Sequence, residues 1–113
     1  MAKTLFEKII DKEIPASLVY EDEHCVAFKD INPGAPTHVL LVPRKPIPKL
    51  TDATAADQML LGHLLLAANK VAAQLGVGEA FRLAINNGAG AGQSVFHLHL
   101  HILGGRPLKW PPG

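Results

Sequence analysis

The chain has 113 residues and a mass of 12.1 kDa, one domain's worth, and a chain of this length buries roughly 65% of its unfolded surface. Apolar residues make up 48% and charged residues 19%, which excludes global disorder, and a net charge of +1 supplies no broad field for nucleic acid or an anionic membrane. The single cysteine, Cys25, excludes an intramolecular disulfide framework and a four-cysteine zinc site, and it fits a reducing compartment.

Thr4-Leu5-Phe6-Glu7 has the form of a helix capping box and predicts a short helix from about Leu5 to Lys12, stopped by Pro15. The same stretch reaches an acid before any long apolar run, so no signal peptide is expected. Ser17 to Glu21 and His24 to Asp30, parted by Asp22-Glu23, read as an antiparallel hairpin. Period-two alternation puts Val26, Phe28 and Asp30 on one face. Turn chemistry over Asn32 to Pro36 leads into a third strand, Thr37 to Val42, ended by Pro43. A proline-containing loop precedes a long helix, about Thr54 to Leu75. Its candidate caps are Thr51, Asp52 or Thr54, its stop is Gly76, and its apolar stripe is Leu60, Leu61, Leu64, Leu65, Ala68, Val71, Ala72 and Leu75. The longest uncharged run in this helix, Gln58 to Asn69, falls short of the about 20 residues needed to cross a bilayer. Ala80 to Asn86 forms a fourth strand, Asn87 to Gly92 a glycine-rich loop, and Val95 to Leu103 a fifth strand. The tail from Gly104 to Gly113 holds the only tryptophan. Runs of neighbouring strands with helices outside them predict an α+β domain: an antiparallel sheet of about five strands with one long helix on a face.

His97, His99 and His101 alternate with Leu98 and Leu100. In a strand this puts three imidazoles on one face, while Phe96, Leu98, Leu100 and Ile102 fill the other. Three readings stand beside one another. The first reads the histidines as structural side chains on a half-exposed strand. A second reading is a zinc site, but at ~3.4 Å per residue His97 and His101 lie about 14 Å apart, so one strand supplies two ligands and a third, such as His38, must come from elsewhere. Or they carry nucleophilic chemistry, since a neutral imidazole has a free lone pair and can accept a phosphoryl group. The preceding segment favours the last reading. Gly88, Gly90 and Gly92 let backbone N–H groups approach an anion, and Asn86, Gln93 and Ser94 add side-chain donors. The loop lacks the Gly-Lys-Ser/Thr of a P-loop and does not open onto a helix.

Gln93-Ser94-Val95-Phe96-His97-Leu98-His99-Leu100-His101-Ile102-Leu103 resembles the signature of the histidine-triad (HIT) superfamily. Gly104-Gly105-Arg106 and the ending Trp110-Pro111-Pro112-Gly113 are similar to its Hint branch, the histidine-triad nucleotide-binding proteins. The similarity runs from Leu5 through Asp30-Ile31 and Ala35-Pro36-Thr37-His38 to the end. Pro46 departs from it, standing where relatives often carry histidine.

The resemblance implies that His99 is a nucleophile forming a nucleotidyl-histidine. It pairs His97 with His38 by a hydrogen bond, sets His101 on the phosphate, and places Ser94 at the phosphate or leaving nitrogen. Asn86 and the Gly92-Gln93-Ser94 backbone would bind nonbridging oxygens. Asp30 would accept both ribose hydroxyls, and Leu5, Phe6, Ile9, Phe28 and Ile31 would form the slot for a base. The implied activity is hydrolysis of the P–N bond of purine nucleoside 5′-phosphoramidates, with no metal or cofactor. Dinucleoside polyphosphate hydrolysis, or a nucleotide- or protein-binding module with incidental hydrolysis, are the alternatives. The implied assembly is a cytoplasmic homodimer with two sheets joined edge to edge, neither nucleic-acid- nor membrane-bound, and with Trp110 reaching the leaving-group side of the partner's site.

Overall fold

In the computed structural model, which describes residues 2–113, Thr4 opens helix α1 (Leu5–Ile10) through a reciprocal cap. Its hydroxyl accepts the Glu7 N–H at 3.1 Å, and the Glu7 carboxylate accepts the Thr4 N–H at 3.0 Å. The helix stops at Ile10, short of the expected Lys12, which has a left-handed φ of 61°. Strands β1 (Leu18–Glu21) and β2 (Cys25–Lys29) form the hairpin, and β3 (Thr37–Pro43) pairs with β2 so that Val26 faces Val42 and Phe28 faces Leu40. After helix α2 (Gln58–Gln74), β4 (Phe81–Ala84) takes one edge and β5 (Leu100–Gly104) inserts between it and β3. The five-stranded sheet is antiparallel throughout, ordered β1-β2-β3-β5-β4.

Alternation along these strands builds two separate cores. Ala27, Val39, Leu41, Leu100 and Ile102 meet Leu64, Ala67, Ala68, Val71 and Ala72 of α2 on one face. Val26, Phe28, Leu40 and Val42 meet Phe6, Ile9 and Ile10 of α1 on the other. At the hairpin corner the Asp22 carboxylate accepts from the His24 and Cys25 amides, the Tyr20 hydroxyl and, at 2.7 Å, the His63 ring, which ties the turn to α2. These donors hold its pKa well below the usual carboxylate range against the opposing effect of desolvation.

Two expected elements are corrected. The long helix begins at Gln58 because Thr54 and Asp57 close a tighter 3₁₀ turn at Ala55–Asp57, with a reciprocal cap of their own, and Leu65 is half exposed while Ala67 joins the core. Gly76 does end the helix, at φ 79°. The fifth strand begins at Leu100 rather than Val95. Its ladder with β3 ends where Leu41 faces Leu100, and two residues further along β3 stands Pro43, which has no N–H to offer. The chain therefore leaves the sheet, the Leu98 N–H turns to the Ile47 carbonyl at 2.7 Å, and Phe96, expected in the core, is 44% exposed. No described helix is long and apolar enough to cross a membrane.

Candidate active site

Leaving the ladder brings the first two histidines of the row under α1. His97 is fully buried, and its Nε2–H donates to the Pro43 carbonyl at 2.7 Å. The Thr4 hydroxyl lies 3.4 Å from the other ring nitrogen, so the cap of α1 also touches the row. His99 Nδ1 stands 2.7 Å from the carbonyl oxygen of His97. A carbonyl only accepts, so the proton is on Nδ1 and the lone pair of Nε2 is left free. Phe6 meets the His99 ring edge-on, with centroids 4.9 Å apart. Burial pushes the pKa values of His97, His99 and His101 below the ordinary imidazole value, His101 to about 4 with the neighbouring His99 and His38 adding to the effect. All three rings are neutral at pH 7.

His38 pairs with His101, not with His97 as expected. Its Nε2 is 2.9 Å from His101 Nδ1 and 3.4 Å from an Asp30 carboxylate oxygen. The register explains this: Leu40 faces His101 and His38 faces Leu103, so His38 and His101 are diagonal neighbours on one sheet face, while His97 lies beyond the end of the ladder. His101 Nε2 is buried and has no partner, the one such side-chain nitrogen or oxygen among the described residues.

A cleft of about 620 Å³ opens on this face, within the usual range for small-molecule sites. Its lining includes the expected Leu5, Phe6, Ile9, Phe28, Asp30, Ile31, Ser94, His99 and His101. Ile31 sits at the rim, 91% exposed. Ile14, Pro15, Ala16, Ser17, Leu40 and Val95 also line it, without having been expected. For Leu40 the strand alternation held a signal, since it follows His38 by two; Pro15 reads from the sequence only as a helix stop and Ser17 only as the start of the first strand.

Asn86, Gly92 and Gln93 are not among the lining residues. The Gln93 side chain, expected as a free donor, is buried and used up. It accepts the Gly88 N–H at 2.8 Å and donates to the carbonyls of Pro48 and Val95 at 2.8 and 3.1 Å. It braces the glycine loop that carries Ser94, and Asn87 adds a second brace by accepting from Thr51. Trp110 is 80% exposed on the single chain, with the Arg82 guanidinium 6.0 Å from its ring. Asp30, His38 and His101 offer ligand atoms within 4.8 Å of one another, as do Asp22, Cys25 and His63. In the first group a 2.9 Å bond already joins the two rings, closer than the roughly 3.4 Å that tetrahedral zinc with ~2.1 Å bonds sets between its ligand atoms.

A helix-backed antiparallel sheet carrying three histidines at the end of its inner strand defines a class, and the sequence family model for the HIT domain matches residues 11–108. The chain belongs to the HIT-domain family. A HIT-like protein of Synechocystis is 68% identical over 110 residues, covering 97% of this chain and 96% of its own. A 14 kDa zinc-binding protein of Zea mays is 50% identical over 113 aligned residues, covering 97% of this chain and 88% of its own. Among solved structures, a HIT family hydrolase from Legionella pneumophila superimposes with a TM-score of 0.96 at 47% identity, covering 98% of this chain and all of that one. One from Clostridium thermocellum gives 0.92 at 44% identity, covering 96% of each.

Proposed function

We propose that this chain is a Hint-type hydrolase that cleaves the P–N bond of purine nucleoside 5′-phosphoramidates. The observation that carries the reading is the bond from His99 Nδ1 to the His97 carbonyl, which leaves Nε2 as an aimed, neutral lone pair on the wall of the cleft. The His99 lone pair attacks phosphorus, the P–N bond breaks, and the amine departs with the proton of the Ser94 hydroxyl, which the attacking water of the second step restores. Water then attacks the nucleotidyl-histidine, the bond from phosphorus to Nε2 breaks, and nucleoside monophosphate is released. His101 Nε2–H and the backbone amides beside Ser94 stabilise charge on the nonbridging oxygens. Asp30 takes the ribose hydroxyls, and Leu5, Phe6, Ile9, Phe28 and Ile31 hold the base. The hydrolases among the related structures carry names in keeping with this chemistry.

The working unit of this proposal is a cytoplasmic homodimer joined along β4, whose outer edge has no partner among the described residues. Trp110 of one protomer would then cover the leaving-group side of the other's cleft. Adenosine 5′-phosphoramidate is the test substrate. Release of adenosine monophosphate by the wild type and its loss in His99→Gly are expected; no turnover by the wild type, or preferential cleavage of a diadenosine polyphosphate, would overturn the assignment. Zinc binding is a second reading, favoured by the Asp30–His38–His101 group and by the name of the maize relative. Full activity in the presence of a chelator removes it.

A further inference from the structure

The protonation of His101 traces back through a chain of hydrogen bonds to a residue outside the cleft. The Gly34 N–H donates to His38 Nδ1 at 2.8 Å. An amide only donates, so His38 Nδ1 is bare and its proton sits on Nε2. That proton points at His101 Nδ1, 2.9 Å away, with Asp30 alongside. His101 therefore accepts at Nδ1 and carries its own proton on Nε2, the buried atom without a partner. One backbone amide thus decides whether the last histidine of the row shows the cleft a donor or a lone pair.

The residue that carries this amide is held at its next peptide by Arg106. Its guanidinium donates to the Gly34 carbonyl at 3.0 Å from the far side of the same residue, and its other nitrogen to the Pro107 carbonyl at 3.0 Å. Gly105, at φ 93°, lets the chain leave β5 pressed against the loop: a Cβ there would stand 2.9 Å from Pro36 Cβ. The other end of the loop is fixed by Asp30, which accepts the Asn32 N–H at 2.8 Å. The segment from Asn32 to Pro36 is gripped at both ends.

We propose that Arg106 is a positioning residue which, by clamping Gly34 through its carbonyl, fixes the tautomers of His38 and His101 and keeps an N–H donor aimed at the anionic part of the ligand. This rests on the phosphate-binding role proposed above for His101. Without the clamp the Gly34 amide moves off His38, and the ring is free to carry its proton on Nδ1. His101 then donates back to His38 and turns a lone pair toward the phosphate, so an attraction becomes a repulsion.

The test compares wild type, Arg106→Ala and Arg106→Lys. Arg106 is exposed and outside the cleft, so the variants keep the fold. Long-range ¹H–¹⁵N spectra without ligand should show His38 and His101 protonated only at Nε2 in the wild type, and mixed tautomers in Arg106→Ala. Affinity for adenosine monophosphate should fall roughly three- to tenfold, up to the tenfold or more that a hydrogen bond to a charged group is worth. Affinity for adenosine, which has no phosphate, should stay within about twofold, because RT ln 2 is only ~0.4 kcal/mol. Arg106→Lys keeps a cationic donor and should return both readouts toward wild type. Unchanged tautomers in Arg106→Ala, equal losses for nucleotide and nucleoside, or no rescue by lysine would overturn the proposal. A wild type that fails to bind adenosine monophosphate overturns the function instead, while the ligand-free spectra still decide the positioning role.

Discussion

His99 Nδ1 lies 2.7 Å from the backbone oxygen of the residue two positions before it, His97. The contact is internal to the row, so the orientation of the central ring does not depend on a distant side chain. Its consequence is a covalent intermediate on His99 Nε2. Mass spectrometry after a quench that avoids acid, which would break the P–N bond, should find a nucleotidyl group on His99 and on neither His97 nor His101. His99→Ala should lower turnover by on the order of 10⁴-fold.

Asp30 predicts sugar selectivity. One oxygen is engaged by the Asn32 amide and the other lies toward His38, which fixes the carboxylate at the rim of the cleft. Removing one ribose hydroxyl removes one hydrogen bond to this carboxylate, at ~1.5–3 kcal/mol for a hydrogen bond to a charged group, so ribose should be preferred to 2′-deoxyribose by about tenfold or more. In Asp30→Ala the ratio should flatten. An undiminished ratio of kcat/KM values would take Asp30 out of the sugar site.

The site's acid limit follows from burial. Desolvation lowers the folded-state pKa of His97, His99 and His101, the last to about 4, whereas the unfolded chain titrates near ~6.5. Between those values the unfolded state binds protons that the fold refuses. The contribution of these rings to stability is complete above pH ~6.5 and is lost as pH falls through that value toward about 4. Activity needs the lone pair of His99, so the acid limb of kcat/KM should also lie below pH ~6.5. A melting series and a rate profile across this range check both; a flat Tm, or an acid limb at higher pH, contradicts the assignment.

The proposed crossing of Trp110 to a second protomer predicts a leaving-group preference. The ring is 80% exposed on its own chain, and a large indole is a natural contact for a second surface. Deleting Leu108 to Gly113 should leave nucleotide affinity intact and change the ranking of phosphoramidates that differ only in their amine. Mixed dimers of a His99→Ala subunit and a tail-deleted subunit localise the effect. There the only competent site faces an intact partner tail, so a wild-type ranking is expected; a truncated-type ranking would assign Trp110 to its own subunit.

Strand alternation and capping chemistry were legible in the sequence because they depend on neighbours. Thr4 with Glu7, the two faces of β2, and Gly76 at the end of α2 all follow from local rules. The family signature likewise led to His99, Ser94 and Asp30 in one cleft. What the sequence hid are contacts between distant segments. The pairing of His38 with His101 depends on the β3–β5 register, and the burial of Gln93 depends on where Pro48 lies. The departure of the row from the sheet before Leu100 depends on Pro43, more than fifty residues earlier in the chain. A one-dimensional pattern carries no register.

The sheet is also a partition. The buried side chains under α2 and those under α1 form separate clusters, and only the second borders the cleft. The larger of the two clusters therefore lies on the side away from the cleft. Exchanging Ile9, Phe28 or Leu40 for another apolar residue of similar size reshapes the recognition surface and leaves the α2 layer untouched. Such an architecture separates heritable variation in specificity from variation in foldability, and a lineage can retune what enters the cleft without first acquiring compensating changes elsewhere.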